Sequence, residues 1–466
     1  MWDLLIKDCR VIDPKNGLNE TADIAIAGGK IDCVGQNLSE AGAREVLRFP
    51  GMIAQPGIID MHLHMGLNPF GFKNAALAGV TTALDMSGET DYIVDIAQKT
   101  GCGINVAIAQ AFMPGANIEG NNPDEAAIDA FIDRVLATGG YGVKILGGHY
   151  PLTPDASARI IKRCHDRGVY VAWHAGSTET GSDIIGMKEA VDLANGRFLH
   201  LAHINAYCRG KVDSVENETR LAIEYLVNNP NIVSESYLSP RNGTRLNYDE
   251  KGMAKSGVTR NCLARLGLGA DIDSIEKAIR MRALGVIVEK DGLSSLIEGN
   301  EALEEFRRMK GDVGASFDNV NPFLPRAWLL SAKRSDGSFV VDALGTDGGC
   351  IPRNVILDLG MSFVKTGAVT ENEFAIKTSL RPAQILNLPN KGHFSVGADA
   401  DITIYDKTTQ KAVATIVGGQ KVLFEGKVVD REATIIANSQ SEAFLKDHAK
   451  RFQLVDPDVK FLHQPR

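Results

Sequence analysis

Two histidines one residue apart close the apolar run Gly57-Ile58-Ile59-Asp60-Met61-His62-Leu63-His64. Successive side chains on a strand point to opposite faces, so His62 and His64 share a face about 7 Å apart. At the end of a strand, such a pair can grip one metal ion. Four more metal-competent residues stand in later apolar runs. Lys144 lies in Tyr141-Gly142-Val143-Lys144-Ile145-Leu146, and His174 ends Val169-Tyr170-Val171-Ala172-Trp173-His174. His203 ends Phe198-Leu199-His200-Leu201-Ala202-His203, and Asp347 follows Ala343-Leu344-Gly345-Thr346. Lys144 to His174 is a step of 30 residues and His174 to His203 one of 29, each the length of a single strand–helix unit. Taken singly, each has a plainer reading. Lys144 would be a snorkelling or paired lysine, either histidine a hydrogen-bonded core residue, and Asp347 a turn residue before Gly348-Gly349. Five strand ends that all carry suitable groups are much harder to obtain by chance. His200 points to the opposite face from His203 and reads as structural, whereas His149 follows Gly147-Gly148 and can reach the site.

Positioning these groups requires strands that end at one place. From residue 57 the chain repeats strand, loop and helix, with strands expected at 57–65, 79–86, 104–110, 141–146, 169–174, 197–203, 231–237 and 340–347. Eight strands alternating with helices argue for a closed (β/α)8 barrel, whose chemistry sits at the C-terminal strand ends. An open doubly wound sheet is the alternative, but the glycine-rich phosphate fingerprint is missing after the first strand. Residues 1–55 read as short strands and tight turns, and residues 391–440 return to that alternation, so the two are expected to pair in a small β-sandwich flanking the barrel of residues 56–390. An insertion at about 238–339, with helical pieces at 274–281 and 300–309, is expected to serve as a lid, a specificity module or a structural excursion. Residues 371–386 are expected to form a barrel-closing helix, and 441–466 a helix (441–452) and a loose arm.

Hydrophobic residues make up 44% of the 466 and the formal net charge is −8, with no basic stripe, which argues against nucleic acid or an anionic membrane as partner. Seven cysteines without a close-spaced pair fit a reducing, cytoplasmic setting. Neither a signal peptide nor an apolar run of membrane-spanning length is expected.

The run Pro56-Gly57-Ile58-Ile59-Asp60-Met61-His62-Leu63-His64, the later Lys, His, His and Asp, and the tail Lys391-Gly392-His393-Phe394-Ser395-Val396-Gly397-Ala398-Asp399-Ala400-Asp401 together resemble the amidohydrolase superfamily, nearly end to end. The ligand set is most similar to the branch with two metals bridged by a carboxylated lysine, which includes dihydroorotases, hydantoinases, isoaspartyl dipeptidases and D-aminoacylases. The resemblance implies that His62, His64 and Asp347 bind the more buried metal and His174 and His203 the more exposed one. Lys144, as its CO2-derived carbamate, and a hydroxide would bridge the two. It implies two divalent ions, zinc first with cobalt or manganese as substitutes, and hydrolysis of a non-peptide C–N bond in a cyclic amide or imide or an N-acyl amino acid. Asp347 would move the proton. His149, Tyr150, Asn205, Tyr237 and Arg241 are candidate substrate contacts, and a homo-oligomer acting on a small molecule is expected. Two departures stand out. His149 occupies the place of the hydantoinase tyrosine, and Asp85-Met86-Ser87-Gly88 lacks the D-aminoacylase cysteine. A heterocycle deaminase is the rival within enzymes. It is opposed by Lys144 and by the absence of a His-x-x-Glu pattern at His174-Ala175-Gly176-Ser177. A non-catalytic scaffold is opposed by the complete ligand set.

Overall fold

The computed structural model describes residues 1–86 and 88–459. Eight parallel strand positions form the barrel: Ile58–His64, Val80–Asp85, Asn105–Phe112, Gly142–Leu146, Tyr170–His174, Leu199–Leu201, Ile232–Ser236 and a broken eighth. The eighth is two short pieces. Ala343–Leu344 pairs with the seventh strand and Gly348–Gly349 with the first, which closes the cylinder. Between them Gly345-Thr346-Asp347 leaves the ladder, and this break turns Asp347 toward the mouth. The strands are buried on both faces and read as near-continuous apolar runs, as a parallel sheet clad in helices requires.

The N- and C-terminal segments share one nine-stranded sheet, in which Ile402–Asp406 pairs antiparallel with Ile53–Pro56. Its inward residues, among them Leu4, Ile6, Ile24, Ile402, Ile404 and Ile416, form a separate core. Two expectations for the tail need correction. Thr434–Ala437, expected in the sandwich, pairs instead with the first half of the third barrel strand, along Asn105 to Ala107. That strand meets the fourth only from Ala109 onward, so its early edge needs a partner. The expected C-terminal helix is shorter, Glu442–His448, and Phe452–Leu454, where the expected helix gives way to the arm, is a strand paired with Thr434–Ala437. Residues 460–466 lie outside the described residues.

The insertion carries a sheet that its sequence did not announce. Asn242–Arg245, Gly314–Phe317, Leu284–Lys290 and Leu293–Ile297 form four antiparallel strands in that order. Three helices, Gly257–Arg265, Ile272–Arg280 and Gly299–Arg308, pack around a core that includes Leu263, Ile279, Val286 and Phe306. The helix Phe323–Ser331, inside the span given to the insertion but not expected as a helix, packs against the barrel helix Val215–Asn228. The closing helix is also interrupted: Glu371–Ala375 and Arg381–Ile385 flank a π turn at Ile376–Leu380, just ahead of Pro382.

Candidate metal centre

The six expected ligands converge at the C-terminal mouth. The side-chain donors of His62, His64 and Asp347 all lie within 4.8 Å of one another. His64 Nε2 is 2.7 Å from Asp347 Oδ1, and Lys144 Nζ is 2.9 Å from His62 Nε2. On the other side of the mouth, His174 Nδ1 and His203 Nε2 face each other at 3.1 Å. The His62 and His203 rings stack at 5.1 Å, so the two groups of ligands are contiguous. His203 and Asp347 both take left-handed backbone, φ 39° and 53°, a conformation uncommon for side chains other than glycine. Hydrogen bonds hold both: His203 N–H donates to Glu235 Oε1 at 2.6 Å and Asp347 N–H to the His62 carbonyl at 2.8 Å. Strain of this kind clusters at functional sites.

Burial sets the electrostatics. It pushes the His62, His174 and His203 imidazoles well below their ordinary range, leaving neutral rings with a lone pair to offer. It brings Lys144 down to about 8, against the pull of Asp347, Glu235 and Asp85. For Asp347, burial acts upward but is outweighed by the Arg353 guanidinium and by His62 and His64, so the carboxylate stays ionised well below the usual range. Neutral imidazoles, an ionised carboxylate and a buried amine form a donor set suited to divalent cations. His203 Nδ1 and Glu235 Oε2 are buried with no hydrogen-bond partner, so the polar capacity of the site exceeds what the protein alone satisfies. The residues therefore fit the two ions that the sequence resemblance implies.

The supporting residues were not evident from sequence. Glu235, fully buried on the seventh strand, accepts from His62 Nδ1 at 2.8 Å and from the His203 N–H, tying together ligands of both groups. A carboxylate aligned with Val233 and Tyr237 in a barrel strand was the available signal. Burial raises it to about 8. Asp60 accepts from Thr346 Oγ1 at 2.6 Å and pins the start of the Asp347 turn. Arg353 pairs with Asp347 Oδ2 and lies 5.2 Å from the Tyr237 ring. Ser182 Oγ sits 2.8 Å from His174 Nε2. Arg353 and Ser182 come from loops, where spacing carries no information. Two glycines make room: a Cβ at Gly148 would lie 2.1 Å from His174 Nε2, and one at Gly345 would lie 2.8 Å from His62 Cβ.

The expected substrate contacts divide. His149 stands edge-on to His174 at 5.5 Å between ring centroids. Tyr150 is on the exposed rim, 38% accessible. Asn205 Oδ1 accepts the Tyr237 N–H at 3.1 Å, which gives Asn205 a structural task. Tyr237 lies 6.0 Å from the His203 ring and its hydroxyl meets Arg209. Arg241, offered as a carboxylate binder, is instead 3.2 Å from Glu298 and 3.7 Å from Asp318, so its charge is already answered. His200 is structural as expected, with Nδ1 2.6 Å from Tyr170 Oη.

Comparison with known proteins agrees with this geometry. The chain is 24% identical over 453 residues to a dihydroorotase of Geotalea daltonii, spanning 88% of this chain and 91% of that one. It is 26% identical over 447 residues to a dihydroorotase of Pelotomaculum thermopropionicum, spanning 88% and 90%. The fold superposes on D-aminoacylase with a TM-score of 0.66 at 16% identity, covering 93% of this chain and 99% of that one. On a D-hydantoinase the TM-score is 0.61 at 16% identity, with both chains wholly covered. The Amidohydrolase family model matches residues 53–312 and 327–429, most of the chain. With that match and this barrel mouth together, the chain belongs to the amidohydrolase family.

Proposed function

We propose that this amidohydrolase cleaves a non-peptide C–N bond in a small molecule, either a cyclic amide or imide or an N-acyl amino acid, using two divalent metal ions. One observation carries the reading: Lys144 is wholly buried at the same barrel mouth as His62, His64, His174, His203 and Asp347. His62, His64 and Asp347 would hold one ion and His174 and His203 the other, with zinc first and cobalt or manganese as substitutes. Divalent ions there would bring the pKa of a bound water toward about 7 and polarise the scissile carbonyl. Lys144 would serve both sites as its carbamate. A neutral amine adds CO2, forming an N–C bond and releasing one proton, and gains an anionic oxygen that a protonated lysine lacks. Asp347, kept ionised by Arg353, accepts a proton from the attacking water and returns it to the leaving nitrogen. Glu235 holds His62 by Nδ1, so that Nε2 faces the site. Seven free thiols agree with a cytoplasmic setting, and among the described residues no helix is long and apolar enough to cross a membrane.

The test is removal and return of metal. Chelated protein should lose hydrolysis of the responsive member of a panel of hydantoins, dihydropyrimidines, lactams and N-acyl amino acids. Zinc, cobalt or manganese should restore it at close to two ions per chain. Full activity in protein shown by elemental analysis to be metal-free would sink the reading.

A further inference from the structure

Arg353 and Arg241, near the mouth, have their charge answered, Arg353 by Asp347 and Arg241 by Glu298 and Asp318. Arg209 differs. It follows the short turn Ile204–Tyr207 beyond the sixth strand and is half-buried. Its Nη2 donates to Tyr237 Oη at 2.7 Å and to Asn242 Oδ1 at 3.3 Å, and its Nε donates to Asn321 Oδ1 at 2.8 Å. All three acceptors are neutral, and among the described residues Nη1 donates to no protein acceptor. Its neighbours add positive charge: Arg265 Nη1 donates to the Arg209 carbonyl, and Lys211 Nζ to the Ser182 carbonyl. Two acids belong to this segment: Glu218, whose carboxylate accepts from the Gly210, Val212 and Asp213 N–H groups, and Asp183, which acts on Lys211 through space.

The insertion builds this arrangement. Asn242 and Asn321 stand at its two ends, and Asn321 Nδ2 donates to the Ser239 and Arg241 carbonyls, fixing its oxygen toward Arg209. A second observation points the same way. Asn205, 1% exposed and bonded to the Tyr237 N–H, has an Nδ2 with no acceptor. A partly desolvated guanidinium whose side-chain acceptors are all neutral is completed best by an anion. Tyr237 lies between the guanidinium and the ring of His203, one of the expected metal ligands.

We infer that the substrate carries a carboxylate and that Arg209, held by the insertion, is its anchor. The class is an amide bearing a carboxylate near the scissile bond, either an N-acyl amino acid or a carboxylated cyclic amide, and a neutral hydantoin or lactam is excluded as the preferred substrate. This rests on the amide-hydrolase reading above.

The test uses zinc-loaded full-length protein and two matched pairs: an N-acetyl amino acid against its methylamide, and a carboxylated dihydropyrimidine against the unsubstituted ring. The two pairs separate the acyclic from the cyclic source of the carboxylate. Wild type should favour the carboxylate member of one pair by about tenfold or more in kcat/KM. Arg209→Gln should raise KM for that member about 10- to 100-fold, with kcat, metal content and the neutral member little changed. Arg209→Lys should recover part of the loss, which a merely misfolded variant would not. An unchanged preference in Arg209→Gln overturns the anchor. Calorimetric binding separates the two readings. If neither pair is hydrolysed but a carboxylate member binds wild type about tenfold more tightly than Arg209→Gln, the anchor stands and amide hydrolysis falls. If binding is independent of Arg209, the anchor falls.

Discussion

Two lysines are wholly buried in the barrel, one at each end. Lys144 occupies the mouth where the strands finish. Lys377 lies in the π turn at the opposite end, where its Nζ donates to the Val341 carbonyl at 2.6 Å and sits 4.3 Å from the Phe339 ring centroid. Its neighbour Ser379 donates to the Pro56 carbonyl, at the entry of the first strand. Burial lowers both amines, Lys144 to about 8 and Lys377 to about 7. Desolvation alone therefore does not mark a catalytic lysine. The surroundings make the difference: Lys377 meets a carbonyl and an aromatic face, which complete it, whereas Lys144 meets the imidazole of His62 among donors that all offer lone pairs. Desolvated amines arise at both ends of the cylinder, but only the mouth gives one a shared task.

Substitutions should separate the two ends sharply. The largest effect is expected for Lys144→Ala, which should lose metal and activity by more than the roughly 100-fold that an outer partner of a ligand can cost. Short carboxylic acids should partly rescue it by supplying the missing anionic oxygen. Full activity without rescue would place Lys144 with Lys377 as a structural lysine. Glu235→Gln should weaken metal binding by about 10- to 100-fold, because His62 and the His203 backbone lose a common carboxyl acceptor. Competition against a chromophoric chelator reads this directly, and wild-type affinity in the variant would remove Glu235 from the support of the centre. The smallest functional effect belongs to Lys377→Met, which should keep metal content and turnover. Its signature is in stability. The folded amine titrates near 7 and the unfolded one near 10.4, so between those values the unfolded chain binds more protons and wild-type stability rises with pH. The variant should lack that component, which is on the order of a few kcal/mol across the window. Its stability relative to wild type should be best near pH 7 and decline toward pH 10 in parallel denaturant titrations. A pH-independent difference would mean that Lys377 stays charged in the fold.

Much of the mouth was legible because a barrel converts spacing into position. His62 and His64 share a strand face, and Lys144, His174 and His203 recur at one strand–helix unit, so type and interval alone bring them to one end. Glu235 was harder to read, since one acid within a strand carries no interval of its own. Arg353 and Arg209 were illegible because loops place them, and a loop path follows from contacts, not from periodicity. Arg241 shows the converse: its type and position matched a carboxylate binder, but Glu298 and Asp318 reach it from remote parts of the insertion. The insertion sheet was missed because its short strands are interrupted by helices that dominate the local pattern.

The sequence by itself determined the cylinder and its six donors, because alternation and repeat length are local properties that a closed parallel sheet turns into geometry. Only the tertiary structure decided which charges are answered and which stay open, including the pairing of Arg353 with Asp347, the loss of Arg241 to the insertion's acids, and the neutral setting of Arg209. Electrostatic pairing depends on distances between residues far apart in the chain, and no interval along the sequence encodes those distances.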